Sequence, residues 1–395
     1  MKLNRWTLAL AAAGIVTAPS LLRAQTNTIM TALSSTTLSG YVDTSAQWNL
    51  GTGNANNPPY AFGGAGKADG FNLNVVDLTL DKPEDETPWA AGYHADLWFG
   101  PDASALGTQS TGIPGDFAIH QAYVTLRTPI GNGLDWKMGV FDTVIGYESF
   151  TSPNNPNYTH SYGFTIEPTQ HTGLLGTYIV NDEFTLSAGI ANSVGSTINL
   201  KGSPPFAESY KTYMAAGTYT VSTNAGWLSG STLTAGVVNG FNGNNGNGTA
   251  AKQTSVYLGS TISTPITALK LGASMDFLDH HNNTDVNTAT GGGINGTTWA
   301  WALYASFQAT EKLALNLRGE YVDNRSDALG AANIVDNNIY EFTATAQYDL
   351  WKNVLSRIEF RWDHVDQTQA FGGTTAGTPS RDNAFLIAAN VIYKF

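Results

Sequence analysis

Hydrophobic and polar residues alternate with a period of two along most of this chain. Between residues 134 and 141, for example, the apolar positions are Leu134, Trp136, Met138 and Val140. This period is that of a β-strand with one apolar face and one wetter face. The pattern therefore predicts a protein built mainly from strands.

The alternation occurs in sixteen segments, each about 9 to 13 residues long, which suits a tilted strand that crosses a bilayer. The segments are residues 38–48, 71–81, 89–99, 117–127, 134–141, 172–180, 184–192, 211–221, 231–241, 253–263, 268–278, 298–308, 313–323, 338–349, 354–366 and 383–395. Short and long connections alternate between them, as the periplasmic turns and extracellular loops of a bacterial outer-membrane barrel do. An even number of strands also closes an antiparallel barrel without the unpaired edges that lipid excludes. We therefore predict an all-β fold, a 16-stranded antiparallel transmembrane β-barrel over residues 37–395, with short periplasmic turns and long extracellular loops.

The connection between the fifth and sixth predicted strands, residues 143–168, is far longer than a hairpin needs. It is rich in Gly, Ser, Pro, Asn and Tyr. A long connection of this kind inside a regular array of hairpins is usually functional. We interpret it as a constriction loop that folds back into the mouth of the barrel.

A sequence motif runs through the same stretch. Its members are residues 139–142 (GVFD), 146–148 (GYE), 152–156 (SPNNP), Tyr158, Ser161, Tyr162, Pro168, 171–173 (HTG) and Tyr178. In this order they resemble the OmpL-like family of β-barrel porins. The resemblance implies an outer-membrane pore and names no substrate.

The first 24 residues have the features of an export signal: a positively charged start, apolar residues 6–16 and a cleavage site after Ala24. The alternative is a membrane helix, but the apolar run is too short to span about 30 Å of hydrocarbon. We therefore predict a signal peptide over residues 1–24, followed by a short periplasmic lead-in over residues 25–36.

Composition narrows the class of protein further. The chain contains no cysteine, which excludes disulfides and thiolate metal sites. Removing Lys2, Arg5 and Arg23 with the signal leaves 16 of the 19 basic residues against 31 acidic ones, a net charge of −15. This balance argues against nucleic acid as a partner, because nucleic-acid binding needs a concentrated basic surface. No later segment approaches 18 uninterrupted apolar residues, so the sequence predicts no membrane-spanning helix.

Charged residues on the predicted inward faces are candidates for lining a pore. Charges on a strand whose other face is apolar must contact water or pair with each other. Acidic residues of the long loop opposite basic residues of the wall would set up a transverse field across a constriction. Alternatively, the charges of the wall neutralise each other, and the sequence leaves both interpretations open. The candidates are Arg127, Lys137, Asp142, Glu148, Arg318, Glu320, Arg357, Glu359, Arg361 and Asp363.

The last predicted strand has an unbroken apolar face that ends in Tyr393 and the terminal Phe395. This ending resembles the assembly signal of outer-membrane barrels. The resemblance implies that the barrel assembly machinery is a partner.

Catalytic signatures are absent from the sequence: there is no G-x-S-x-G, H-E-x-x-H or G-x-x-x-x-G-K. We therefore predict no catalytic residues, no cofactor and no enzyme activity. His160 and Ser161 lie in the Asn/Pro-rich loop and not on a lipid-facing strand, which argues against a lipase pair. We interpret the acidic and histidine residues between Asp276 and Asp285 as a solvated loop and not as a metal site.

A barrel of sixteen strands is too wide for side chains to fill, so water occupies it unless something plugs it. We therefore predict a porin in the outer membrane of a Gram-negative-type bacterium, surrounded by lipid, with passive diffusion of small hydrophilic solutes. A substrate-specific channel is one alternative, and a non-conducting envelope anchor or surface-binding barrel is another. The sequence leaves the solute, the ion selectivity and the choice between monomer and homotrimer open.

Overall fold

The computed structural model of the protein describes residues 36–51, 53–110, 115–201, 209–241, 252–281 and 296–395. The predicted signal peptide, and the predicted lead-in up to residue 35, lie outside these residues.

The described residues form sixteen strands, named β1 to β16 in chain order. Their bounds are Thr37–Leu50, Gly70–Lys82, Ala91–Phe99, Phe117–Thr128, Leu134–Asp142, Gln170–Ile179, Phe184–Ala191, Thr212–Thr220, Thr232–Phe241, Lys252–Ser263, Leu269–His281, Gly296–Gln308, Leu313–Asn324, Asn337–Trp351, Val354–Val365 and Asn383–Lys394. Each strand pairs with its neighbours in the chain, and β1 pairs antiparallel with β16, so the sheet closes into a barrel. The predicted 16-stranded antiparallel barrel is confirmed, with only small changes at the strand ends.

The alternation in the sequence separates the two surfaces of the barrel. On β15, Ile358 is 66% exposed, whereas its neighbours Arg357 and Glu359 are each 1% exposed. Apolar side chains therefore point outwards, where a membrane protein meets lipid, and polar ones point into the lumen.

Short connections lie at one end of the barrel and long ones at the other, as the sequence predicts. At the short end, only Lys352 and Asn353 join β14 to β15. Asn353 takes a positive φ of 67°, which asparagine tolerates better than most residues.

The connections also contain short helices, which the sequence pattern did not predict. In the described parts of the connections, two are α-helical, α1 (Pro101–Leu106) and α2 (Tyr162–Ile166), and four are 3₁₀ turns: Ala65–Lys67, Ser152–Asn154, Gly226–Leu228 and Ala332–Ile334. One to two turns are too few for a period of 3.6 to show in a sequence. Among the described residues, no helix is long and apolar enough to cross a membrane.

Candidate functional site: the interior of the barrel

The connection between β5 and β6, residues 143–169, lies inside the barrel, and we name it the inner loop. Each of its residues is buried or half-buried. Ile145 packs in an apolar cluster with β5 to β10, and Phe150 and Phe164 pack in a second cluster with β15, β16 and β1 to β4. Tyr162 and Ile166 belong to a third cluster, with β11 to β15. The inner loop therefore contacts the wall on all sides of the lumen.

Local signals in the sequence shape the inner loop. The backbone N–H of Ser149 donates to Asn155 Oδ1 at 2.8 Å, and this bond closes the segment that contains the 3₁₀ turn Ser152–Asn154. The hydroxyl of Ser161 accepts from the backbone N–H of Phe164 at 3.0 Å and caps the start of α2. Such caps satisfy backbone donors that the first helical turn leaves without partners. Ser161 thus has a structural role.

Two glutamates of the wall bind the backbone of the inner loop. Glu359 on β15 accepts the N–H groups of Tyr158 at 2.6 Å and Thr159 at 2.9 Å. Glu320 on β13 accepts those of Tyr162 and Gly163, both at 2.7 Å. Both side chains are buried, so these bonds form away from bulk water.

Arginines of the wall bind the carbonyl groups of the same segment. Arg318 donates to the carbonyl oxygen of Thr159 at 2.7 Å, and Arg361 donates to that of His160 at 2.6 Å. We name Arg318, Glu320, Glu359 and Arg361 the wall clamp. The wall clamp binds backbone N–H and carbonyl groups of residues 158–163. A neighbouring strand in a sheet binds the same two kinds of group.

Arg357 holds the preceding part of the inner loop. Its guanidinium donates to the carbonyl oxygens of Ser152 at 2.8 Å and Asn155 at 2.5 Å. The side chains of Arg318, Arg357 and Arg361 are each at most 1% exposed. These arginines therefore contact the inner loop and do not project into open water.

The wall charges also pair with one another. Arg361 and Asp363 lie 2.8 Å apart on β15, and Arg318 lies 3.1 Å from Glu341 on β14. The hydroxyl of Tyr162 donates to Asp363 at 2.8 Å and ties this network to the inner loop. The sequence left two interpretations open: acidic residues of the loop face basic residues of the wall, or the wall charges neutralise each other. Both kinds of contact occur here, in one network.

Glu148 is the acidic residue of the inner loop that meets the arginines. It lies 3.0 Å from Arg318 and 2.8 Å from the His160 ring, and the hydroxyl of Tyr304 donates to it at 3.2 Å. Burial raises the pKa of Glu148, but the Arg318 guanidinium and the hydrogen bond from His160 outweigh burial and hold that pKa at about 2. The His160 ring is therefore hydrogen-bonded to Glu148.

Three of the predicted site residues lie apart from the wall clamp. Arg127 pairs with Asp135 at 2.7 Å near the β4–β5 turn, and Lys137 lies 4.6 Å from the centre of the Tyr123 ring. Asp142, at the end of β5, accepts from Gln170 at 2.8 Å and lies 2.9 Å from the buried His120 ring.

A carboxyl pair, Glu167 and Asp276, joins the inner loop to β11. The sequence analysis placed Asp276 at the start of a solvated loop, but β11 continues to His281 and Asp276 faces the lumen, 3% exposed. Asp285 lies outside the described residues. Burial, and then the charge of Asp276, raises the pKa of Glu167 well above its usual range.

Sequence reasoning also missed Glu341 as a partner of the wall arginines. The period of two in β14 places its side chain on the inward face, beside Thr343 and Thr345. Applying the alternation to this strand as well would have identified it.

Comparison with known proteins identifies the family. A family profile described as "Putative beta-barrel porin-2, OmpL-like" matches residues 35–395. The chain belongs to this family. OmpL-like porins are outer-membrane channels and not enzymes, and the closed barrel found here is the corresponding fold. None of the curated proteins compared with the sequence matches it.

Solved porins share the fold of this OmpL-like porin at low sequence identity. An anion-selective porin from Comamonas acidovorans is 15% identical, with a TM-score of 0.61 over 91% of this chain and 99% of that one. The outer-membrane channel DcaP of Acinetobacter baumannii is 14% identical, with a TM-score of 0.60 over 93% and 99%. A trimer form of OmpT, an outer-membrane protein of Vibrio cholerae, is 10% identical, with a TM-score of 0.57 over 91% and 99%. At these sequence identities, the similarity to the solved structures shows a shared fold.

Proposed function

We propose that this porin lets small hydrophilic solutes diffuse passively across the outer membrane, through a lumen that the inner loop narrows. The observation that carries the proposal is the wall clamp, which binds the backbone of residues 158–163 across the lumen. A loop fixed in this way sets an upper limit on the size of a passing solute. The polar inward faces of the strands favour water and hydrophilic solutes over apolar ones.

A second candidate function is a barrel that anchors or binds at the cell surface without conducting. The contacts of Ile145, Phe164 and Tyr162 with three sides of the wall favour it, since they fill much of the lumen. The two functions differ in one measurable property, which is ionic current through a single barrel.

Conductance in a planar lipid bilayer tests the proposal. The wild-type barrel should give small, well-defined current steps. Deleting residues 153–157 should increase the step size severalfold, because it removes backbone that Arg357 and Asn316 hold inside the lumen. Excision from a loop also preserves the strands on which folding depends.

A matched control for the deletion shortens the exposed β8–β9 turn by the same number of residues, five. This turn lies at the opposite end of the barrel from the long loops, so the current steps should match the wild type. If neither the wild type nor the deletion variant gives ionic current in the bilayer, the proposed diffusion of solutes is rejected and the non-conducting anchor is favoured.

Export and assembly complete the proposal. We propose that the chain is cleaved after Ala24, is delivered to the barrel assembly machinery and forms homotrimers. The signal-like N-terminus supports the cleavage, and OmpT of Vibrio cholerae, solved in a trimer form, supports the assembly. Native mass spectrometry of protein extracted from outer membranes should show three copies that each begin at Gln25. A chain that begins at Met1 would contradict the proposed cleavage, and a single copy would contradict the proposed homotrimer.

A further inference from the structure

The connection between β1 and β2 contacts the inner loop from outside. Within it, Tyr60, Ala61 and Phe62 are half-buried, although connecting segments usually run over the surface of a protein. The backbone N–H of Ala61 donates to Thr165 Oγ1 of the inner loop at 2.9 Å. We name residues 56–67 the outer segment. It lies over the inner loop at the end of the barrel that carries the long connections.

Tyr60 of the outer segment contacts a member of the wall clamp. Its ring centre lies 4.0 Å from the guanidinium carbon of Arg361, and the ring centre of Tyr162 in the inner loop lies 5.1 Å from the same atom. A guanidinium within about 6 Å of an aromatic ring is attracted to it, and the attraction is stronger where water is excluded. Arg361 is fully buried. One wall arginine therefore contacts a ring of the outer segment and a ring of the inner loop.

Phe62 packs against the inner loop and the wall together. Its ring centre lies 5.4 Å from that of His160 and 6.2 Å from that of Phe164, both in the inner loop. On β3 it lies 5.8 Å from the Trp98 ring. Aromatic rings at such distances attract each other beyond the effect of buried area alone. Phe62 therefore joins the inner loop to β3 from the long-connection end.

Both ends of the outer segment are anchored to other connections. At one end, the Asn56 side chain donates to the carbonyl oxygens of Gly372 at 2.7 Å and Thr375 at 3.1 Å, both in the β15–β16 connection. At the other end, Lys67 Nζ lies 2.5 Å from Asp102 Oδ1 of α1, and the two side chains are only 11% and 13% exposed. These anchors limit how far the outer segment can move away from the inner loop.

On the basis of the function proposed above, we propose that Tyr60 and Phe62 are positioning residues of the pore, which hold the inner loop in its narrow arrangement. The wall clamp binds the backbone of residues 158–163 from β13 and β15. The outer segment contacts residues 160–165 from the long-connection end. The inner loop can therefore move towards that end only after the outer segment has moved. The size limit of the pore depends on both segments.

Single-channel recordings of Tyr60→Ala test the proposal. The substitution removes the ring that contacts Arg361, so openings to a larger conductance should become about ten times as frequent as in the wild type. Tyr60→Phe keeps a ring beside the guanidinium and should record like the wild type. Tyr210→Ala is the matched control, because it removes the same side chain from an exposed position in another long connection.

A disulfide between the two segments separates positioning from a general effect on folding, because the native chain contains no cysteine. Ala61→Cys and Thr165→Cys, added together to Tyr60→Ala, replace two residues that are in contact. Oxidation should bring the frequency of larger openings back to the wild-type level, and reduction should raise it again. Tyr60→Ala with Ala61→Cys alone should not respond to the oxidant.

Several results would overturn the positioning role. They are equal frequencies of larger openings in Tyr60→Ala and Tyr60→Phe, an equal rise in Tyr210→Ala, and folded barrels in which the two cysteines do not cross-link or in which the cross-link leaves the larger openings in place. The porin function would stand in each of these cases if deleting residues 153–157 still increases the current steps. A wild type and a deletion variant that both give no ionic current would reject the porin function, and the proposed control of pore size with it.

Discussion

Two wall glutamates bind the main chain of the inner loop. Glu359 accepts two consecutive backbone N–H groups, from Tyr158 and Thr159, and it also accepts the hydroxyls of Thr159 and Thr345. Glu320 repeats the backbone arrangement at Tyr162 and Gly163. A buried carboxylate with this many donors is well compensated for its loss of water. Each glutamate therefore fixes a short piece of the inner loop.

Glu359→Gln should loosen the inner loop while preserving the barrel. The neutral amide makes weaker hydrogen bonds than the carboxylate, a loss of about 1.5 kcal/mol over the two backbone contacts. That change corresponds to about a tenfold larger population with the loop displaced. Single-channel recordings should therefore show brief openings of larger conductance about ten times as often.

The control for this variant is Glu86→Gln, in the exposed β2–β3 turn. It removes the same charge outside the lumen, so its recordings should match the wild type. If Glu359→Gln also records like the wild type, the carboxylate of Glu359 does not hold the inner loop.

The sequence predicted the wall charges at the level of residues but not their partners. Arg357, Glu359, Arg361 and Asp363 alternate with apolar residues on one strand, so their inward direction follows from the period of two. Arg357, Glu359 and Arg361 bind backbone atoms 200 or more residues away in the chain, and Asp363 binds the hydroxyl of Tyr162. Which backbone groups lie opposite depends on the path of the inner loop, and residue types do not encode that path.

At the level of elements, β16 completes the barrel by pairing with both β15 and β1. Beyond the last residue of the strand, Phe395 exchanges two backbone hydrogen bonds with Gly40, of 3.0 and 3.1 Å. The Phe395 ring also lies over Gly40, where a Cβ atom would come within 2.9 Å of it. The terminal residue therefore contributes main chain and side chain to the closing seam.

Deleting Phe395 should lower the yield of folded barrel, because the deletion removes both bonds with Gly40 and the terminal aromatic ring. The fraction of protein with heat-modifiable mobility on cold gels measures this yield. Barrels that do fold should conduct like the wild type, since Phe395 lies at the end of the barrel away from the inner loop.

Phe395→Leu separates the two contributions of the terminal residue. It keeps the backbone pair with Gly40 and an apolar side chain but removes the ring. A low yield for the deletion and a normal one for Phe395→Leu would show that the aromatic ring is not needed and that the backbone pair with an apolar side chain is enough. A normal yield for the deletion would show that the terminal residue is not needed for assembly.

The strands were predicted well because a membrane barrel imposes one rule on each of them. Lipid outside and water or polar groups inside enforce the alternation along the full length of a strand. The helices were missed because α1 and α2 depend on local caps, such as Pro101 at the first helical position and the Ser161 hydroxyl. The β11 extension to His281 was missed because polar residues at the rim of a barrel look like loop residues.

At the scale of the whole molecule, the lumen has two unlike halves. The half formed by β11 to β16 and β1 carries the charged and polar groups that bind the inner loop. The half formed by β7 to β10 presents uncharged residues to it, among them Met214, Val238 and Tyr257. The inner loop therefore binds charged and polar partners on one side of the lumen and packs against apolar side chains on the other.

The contacts between the wall clamp and main-chain atoms of the inner loop have a consequence for protein engineering. Because Glu320, Glu359, Arg318 and Arg361 bind N–H and carbonyl groups, these contacts with residues 158–163 do not depend on which side chains the loop residues carry. Proline is the exception at positions 158, 159, 162 and 163, since it has no N–H to donate. Because residues 159–163 are buried, a smaller side chain at one of them should open space in the lumen while its backbone stays bound to the wall. A nanopore built on this barrel would then be widened one side chain at a time, without any change to the residues that hold the loop.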